Sequence, residues 1–504
     1  MIARIAAKAH WAIRPAAADA LRLGSLALYL PVAFALRMVM LGKPAFQSDE
    51  QFYLLVGQRM AAGALPYVDI WDRKPWGLFA IFRGVYALPF DPVLTYQLLG
   101  LASSVLTALV IERIARRIAP PRAARMAGLA YLIWQPVFNV ALGQSPVFYN
   151  LPVALAALIV LDARLKPGDP LLARRGMEAM LLIGLALQIK YSAVFEGLAF
   201  GLLLLARGRA NGWTAARLAM TGTAWVTAAL APTGAVLLGY VWAGHGEAFV
   251  QANFLSILGR STDHADAFAQ LGKECLAMIP FGLALILAPR RLSTVRGERP
   301  ATLPDLRLWA LASIGGFLIF GTWYDHYLGP VLVPLCILAA PALARTAKGE
   351  RWYGRLLLGL GVIGAIAVPV AQVIERGTAA QFAAATRAVA GELHGRCLYV
   401  YEGDSALYRT TGGCIPTRFA YPSHLNAMNE AGALGVSAEA EVRRILASKP
   451  GVIVVSETGR PNQPNRATRA LVKAALGRDY ERYQVAALGQ RRYGLWRLKS
   501  APRR

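Results

Sequence analysis

The sequence predicts a polytopic α-helical membrane protein of about eleven spans that ends in a small α/β domain. Three observations lead there. The chain of 504 residues is 56% hydrophobic and only 16% charged, where soluble domains carry about 25% charged residues. Apolar runs near the ~20 residues needed to cross a bilayer recur along most of the chain. After residue 373 the pattern changes to short β-rich runs alternating with helix-like stretches.

Spans are expected at roughly 24–42, 94–112, 124–142, 150–163, 176–190, 191–206, 216–243, 275–290, 305–323, 327–345 and 354–373. Dense basic loops lie between alternate spans, at 112–125, 164–175, 207–217, 290–299 and 345–355. Clustered Arg and Lys mark cytoplasmic loops. With the N-terminus also inside, these loops fit eleven crossings that end outside the cytoplasm. The first apolar run follows a long, weakly basic lead (Arg4, Lys8, Arg14, Arg22). It is long enough to anchor, so it reads as a span and not as a cleaved signal.

One segment tests the scheme. Residues 74–90 are nearly apolar enough to cross but carry Arg83 midway. Counting them as a crossing would put the basic loop at 112–125 outside, so they are expected as an interfacial helix. Residues 43–93 then form one long outer loop. A second substantial outer loop, amphipathic and mobile, is expected at 244–274, with short turns at 143–150, 188–192 and 323–327.

Residues 1–373 thus form the membrane domain and 374–504 a soluble α/β domain outside. Its strands are expected at 397–403, 451–457, 483–488 and 493–498, and its helices near 379–393, 438–447 and 465–477. The preference for Arg over Lys and the Ala richness suit a GC-rich bacterium, which places the chain in an inner membrane with a periplasmic C-terminal domain. The net charge of +25 is largely spent between apolar runs, on topology and anionic headgroups. No basic-aromatic module accompanies it, so nucleic acid is not an expected partner. Cys275 and Cys336 lie in or beside spans as small core residues. Cys397 and Cys414 fall in the outer domain, where a disulfide is permitted. Pairing and two buried thiols stand level, because sequence does not supply the Cα separation.

The candidate chemistry sits in the first outer loop. Ser48 followed by Asp49, Glu50 and Gln51 reads as a capping box, with Ser48 as N-cap and Gln51 reaching back. Phe52, Leu55, Val56 and Met60 give one apolar face, and Gly63 with Pro66 the stop. A short amphipathic helix on the membrane surface is the expectation. Alone, Asp49 and Glu50 would be explained by the helix dipole, worth about 0.3–1 kcal/mol. Arg73 and Lys74 change the balance, because topology does not favour cations in an outer loop. Cations beside lipid headgroups, with carboxylates, suit chemistry on a lipid phosphate: the cation steadies the phosphate leaving group and the carboxylate takes the acceptor proton. Lys190, at the outer end of a span, is a further phosphate ligand or a snorkelling lysine. His326 and Tyr327 either contact sugar or phosphate or belong to an interfacial aromatic belt.

The stretch "SDEQFYLLVGQRMAAGALPYVDIWDRKPWGLFAIF" (48–82) resembles the first-loop signature of membrane glycosyltransferases with the type C fold, the superfamily of the lipid A aminoarabinose transferases and protein O-mannosyltransferases. There an Asp-Glu pair opens a juxtamembrane helix and a Lys-Pro follows a G-x-L-P-Y-x-D turn. Residues 184–205 and 323–343 also resemble later segments of that superfamily. The resemblance implies a polyprenyl-phosphate-sugar donor, inversion at the anomeric carbon, and an acceptor that is lipid, glycan or protein. It places Asp49 as the catalytic carboxylate, with Glu50 beside it. It places Lys74 near the donor phosphate; beside these two, Arg73 and Lys190 are further candidate phosphate ligands, and Tyr67, Asp72, His326 and Tyr327 candidate substrate contacts. Several relatives carry a second acid in the short loop after the third span. This chain has Gln144 and Asn150 there. Either Glu50, Asp69 or Asp72 takes over that role, or one acid suffices, or the chain is not a competent transferase. No cofactor is required by this reading, and a divalent cation, which wants clustered oxygen ligands, is not indicated.

Two rival classes stand beside the enzyme. A transporter or flippase for a lipid-linked glycan would be expected to carry more ionisable groups inside its spans. A non-catalytic partner in glycan assembly would use the α/β domain for docking.

Overall fold

The computed structural model describes residues 23–163, 170–286, 302–344, 352–458 and 463–499. The basic N-terminal lead, the loop expected at 290–299, parts of those at 164–175 and 345–355, and the end of the span expected at 275–290 lie outside the described residues.

A helix is found at each of the eleven positions where a span is expected. They are α1 (Leu23–Ala35), α4 (Pro92–Ala115), α5 (Pro121–Val137), α6 (Ser145–Asp162), α7 (Leu172–Leu187) and α8 (Val194–Ala210). The series continues with α9 (Ala215–Trp242), α11 (His264–Ile286), α12 (Leu303–Leu318), α13 (Gly329–Ala339) and α14 (Trp352–Arg376). Among the described residues, seven helical stretches are long and apolar enough to cross a membrane. Several helices adjacent in sequence pack together, as α6 does on α7 and α7 on α8, while α13 packs on α4, α5, α6 and α12 and is buried along its whole length. By contrast α9 and α14 keep most of their surface exposed, as lipid-facing helices would.

The long loop between α1 and α4 holds α2 (Ser48–Ala61) and α3 (Trp76–Val85). With 10 residues, α3 is about half a crossing at 1.5 Å per residue. Its Leu78, Phe79, Phe82 and Val85 are buried, and it packs on α2 and α4. The expectation for α2 needs correction. It does not lie on a membrane surface; residues 50–57 are all buried, because Phe52 to Val56 are five consecutive large apolar side chains that encircle the helix. The bundle covers one side and the C-terminal domain, through α16 (Ala406–Thr411), another. Gly57 is required there, since a Cβ would sit 2.5 Å from the backbone of Phe82. The capping box is also absent. The N-cap is Gln47, with no side-chain cap bond, and the Gln51 amide donates to Tyr96 at 3.0 Å instead. Gly63, at φ +93, does supply the stop.

Two further boundaries move. α6 starts at Ser145, so Asn150 lies inside the bundle and bonds Tyr131 and the Gly329 carbonyl. The loop expected at 244–274 is mostly helical, with α10 (Gly246–Val250) and a π turn at Gln251–Leu255. α11 begins at His264, where Asp263 caps the amides of Ala265 and Asp266.

Beyond α14 come α15 (Ala379–Gly391), α16, α17 (Pro422–Asn426), α18 (Ala438–Ala447) and α19 (Arg466–Asp479) around one sheet. β1 (Leu398–Val400) pairs in parallel with β2 (Val452–Ser456). β4 (Arg491–Leu498) runs antiparallel between β2 and β3 (Tyr480–Leu488), giving the order β1-β2-β4-β3. β1 is buried at every position and β2 over its first three residues, as parallel strands covered by helices require. Cys397 and Cys414 are disulfide-bonded, across 17 residues of sequence. A loop of that size confers about 3 kcal/mol through the unfolded state. Replacing both cysteines with Ser is expected to lower the melting temperature of the C-terminal domain by several degrees, read by differential scanning fluorimetry. An unchanged transition would show that the bridge does not form in the folded protein.

Candidate active site

The residues singled out in the first loop converge where α2 begins, between the bundle and the C-terminal domain. Asp49 lies in the first turn of α2, where the helix dipole favours a carboxylate. Its Oδ1 accepts a hydrogen bond from the Tyr421 hydroxyl at 2.8 Å and its Oδ2 one from the Gln144 amide at 3.2 Å. Burial alone would push this carboxyl up. The Lys74 charge, with the Tyr421 and Gln144 hydrogen bonds, holds it below the ordinary carboxylate range.

Glu50 points elsewhere. One residue further round the helix, it is 1% exposed and accepts from the Gly143 amide at 2.8 Å. Adjacent helical residues diverge by about 100°, so Glu50 meets the Gly143 amide while Asp49 meets the Gln144 side chain beside it, and the two carboxylates are held by neighbouring groups of one loop. Its burial raises its carboxyl to about 7, against the Gly143 and Tyr96 hydrogen bonds.

Lys74 and Lys190 supply the cations. The Lys74 ammonium lies 6.0 Å from the Tyr53 ring centre. Lys190, buried where the chain turns from α7 to α8, sits 3.9 Å from the Tyr327 ring centre and 5.9 Å from that of Phe320. Neither ammonium makes an ion pair among the described residues, and each is near enough to feel the other and Asp49. His326 stacks flat against Tyr324 at 5.9 Å, approaches Tyr327 at 4.6 Å, and leans on Asp325 at 3.3 Å.

The other candidates separate. Arg73 is paired with the C-terminal domain: Glu430 binds it through both carboxylate oxygens and also meets Arg260 at 3.0 Å. Burial works against the ionised Glu430, but the two arginines hold it low. Tyr67 is 1% exposed, with its hydroxyl donated to the Lys74 carbonyl at 2.9 Å. It shapes the turn that presents Lys74. Asp72 is buried and accepts from the Arg73 amide at 2.6 Å, and burial raises its carboxyl despite Lys74 and Arg73. Asp69 caps the Leu65 amide at 2.7 Å.

Four participants escaped the sequence reading. Tyr421, His424 and Glu430 belong to one segment, "RFAYPSHLNAMNE" (418–430), and Arg260 to the loop before α11. The segment's density of aromatic, His and Asn residues outside any strand was the available signal. It is tied to the first loop by the Trp71 amide on the Arg418 carbonyl at 2.8 Å and by His424 edge-on to Trp71 at 4.7 Å. Burial, with Arg73 beside it, pushes His424 down to about 3, so it is neutral at physiological pH.

No protein-family model and no curated protein matches this chain. Solved structures do match. ArnT from Cupriavidus metallidurans bound to undecaprenyl phosphate aligns over 95% of this chain and 99% of its own, at 17% identity and TM-score 0.64. The same protein in the apo state aligns over 94% and 98%, at 18% identity and TM-score 0.59. The Archaeoglobus fulgidus oligosaccharyltransferase, in complex with zinc and sulfate, aligns over 86% of this chain and 68% of its own, at 13% identity and TM-score 0.50. The likeness is one of fold: the chain has the type C glycosyltransferase fold, with the α/β domain at its C-terminus.

Glu50 gives the site a pH signature. Its folded carboxyl titrates at about 7, above its ordinary 4.5. The stability it contributes is thus fully present below 4.5 and lost as pH rises through about 7, at ~1.4 kcal/mol per unit. Glu50→Gln is expected to flatten the fall in melting temperature across that window. A slope equal to that of the wild type would contradict the assignment.

Proposed function

We propose that the chain transfers a sugar from a polyprenyl-phosphate donor to a hydroxyl or similar nucleophile of a lipid, glycan or protein acceptor. The reaction would take place at the extracytoplasmic face of a bacterial inner membrane, the side to which the basic loops assign the first loop and the C-terminal domain. One observation carries the reading. The Asp49 carboxylate and the Lys74 and Lys190 side chains lie within electrostatic reach of one another, with Lys190 buried against the Tyr327 ring. Two basic side chains brought together beside a carboxylate suit a phosphate: a prenyl-phosphate sugar is a phosphodiester with one negative charge, and the polyprenyl phosphate it releases carries up to two. The fold supports the same reading, since one solved structure it matches holds undecaprenyl phosphate.

Asp49 takes the proton of the acceptor as the acceptor oxygen attacks the anomeric carbon. The bond from that carbon to the phosphate oxygen breaks on the opposite side, so configuration inverts. Polyprenyl phosphate leaves with the electron pair, its negative charge met by Lys74 and Lys190. Tyr327, under the Lys190 ammonium, and His326 line the same space.

The test compares wild type, Asp49→Asn and Lys74→Ala in lipid nanodiscs. Each is given a panel of polyprenyl-phosphate sugars with membrane extract as acceptor, and polyprenyl phosphate release is followed. Asp49→Asn is expected to lose about 10²–10⁴ in turnover, and Lys74→Ala about 10²–10³. Unaltered passage of a lipid-linked glycan across the bilayer by the Asp49 variant would favour a transporter. Wild type that folds yet releases nothing from any donor would favour a non-catalytic partner.

A further inference from the structure

We propose that the C-terminal domain completes the active site, with Tyr421 as the positioning residue that orients Asp49 and keeps it ready to accept a proton. The proposal rests on the transferase reading above and goes beyond it, because it gives the soluble domain a part in the chemistry.

Three observations support it. Tyr421 lies 372 residues from Asp49 in sequence, yet its hydroxyl donates to Asp49 Oδ1 at 2.8 Å. Gln144 holds Oδ2 from the bundle side, so the two donors together define the plane of the carboxylate. Each oxygen retains a lone pair for an acceptor proton. Neutral donors suit this task, since they stabilise the anion without cancelling its charge as a bound cation would.

The segment that carries Tyr421 is also fixed at both ends. The Trp71 amide holds it at Arg418, and Arg73 with Arg260 hold it at Glu430. Between these points the Tyr421 ring packs 5.2 Å from Phe52 and 5.4 Å from His424. Burial and the Asp49 charge push the phenol well above its ordinary range, so Tyr421 keeps its own proton throughout. The proton from the acceptor goes to Asp49 alone.

The charged and titratable groups that face Asp49 are Lys74, His326, Lys190, Glu50, Asp72 and Tyr53. Tyr421→Phe leaves all six in place and removes one hydrogen bond. Two readouts test it in the full chain. The first is carbodiimide labelling of Asp49, quantified by mass spectrometry across pH, which reports protonation without any need for turnover. The second is the pH profile of kcat. The expected result is a labelling midpoint displaced to higher pH, an acid limb of kcat displaced in the same direction, KM unchanged, and kcat lower by roughly tenfold. Tyr483→Phe, which removes a hydrogen bond from the same domain to the Ala388 carbonyl, controls for lost domain stability and is expected to move neither readout. An unmoved labelling midpoint in folded Tyr421→Phe overturns the proposal whatever the activity. A moved midpoint in a protein whose wild type releases no polyprenyl phosphate would retire the transferase reading while keeping Tyr421 as the partner that holds Asp49.

Discussion

A carboxylate that is half withdrawn from water stays ionised only if its surroundings replace the water. For Asp49 that replacement is assembled from four distant parts of the chain. The loop before α6 supplies the Gln144 amide, and the C-terminal domain the Tyr421 hydroxyl. The stretch between α2 and α3 supplies the Lys74 charge, and the turn before α13 the His326 ring. Much of the local architecture serves to deliver them. Arg37, fully buried, binds the Ala141 carbonyl at 2.6 Å and the Gln135 amide oxygen at 2.7 Å, and so steadies the loop that carries Gly143 and Gln144. Gly57 lets α3 close on α2, so that Lys74 is presented from a short turn.

The two carboxylates at 49 and 50 show how neighbouring residues are assigned different work by geometry. One faces the junction of bundle and domain, among cations, and is held low. The other faces the bundle, bonded to the Gly143 amide, and its burial, with the Asp49 charge beside it, pushes it up. The resemblance to relatives with a second acid after the third span takes on a physical meaning here. In this chain Gln144 occupies that loop, and an amide there donates to Asp49 where a carboxylate would repel it.

How much of this was legible in the sequence depends on the range of the interaction. Helices set by apolar run length, and strands set by β-branched runs such as Val452 to Val455, could be read locally. So could the stop at Gly63. The first-loop motif identified Asp49 and Lys74 as residues the fold brings together. What could not be read is whatever another part of the chain decides. Phe52, Leu55, Val56 and Met60 read as the one apolar face of a surface helix, because no local pattern says that a domain from beyond residue 400 covers the other side. Arg73 looked like Lys74 in sequence, and only the arrival of Glu430 separates a structural arginine from an available lysine. Tyr67 carries a side chain at positive φ in a turn, and its burial under Tyr240 and Phe249 comes from α9 and α10.

The central claim is that Lys74 and Lys190 form the seat of a lipid phosphate opposite Asp49. Its most direct measurement is a cryo-electron microscopy structure of the chain in nanodiscs with polyprenyl phosphate added. The account predicts phosphate density between the two ammonium groups, on the Asp49 side, with the prenyl chain running along the bundle. Phosphate bound at the opposite end of the bundle, or both lysines still facing only their aromatic rings at saturating lipid, would contradict it.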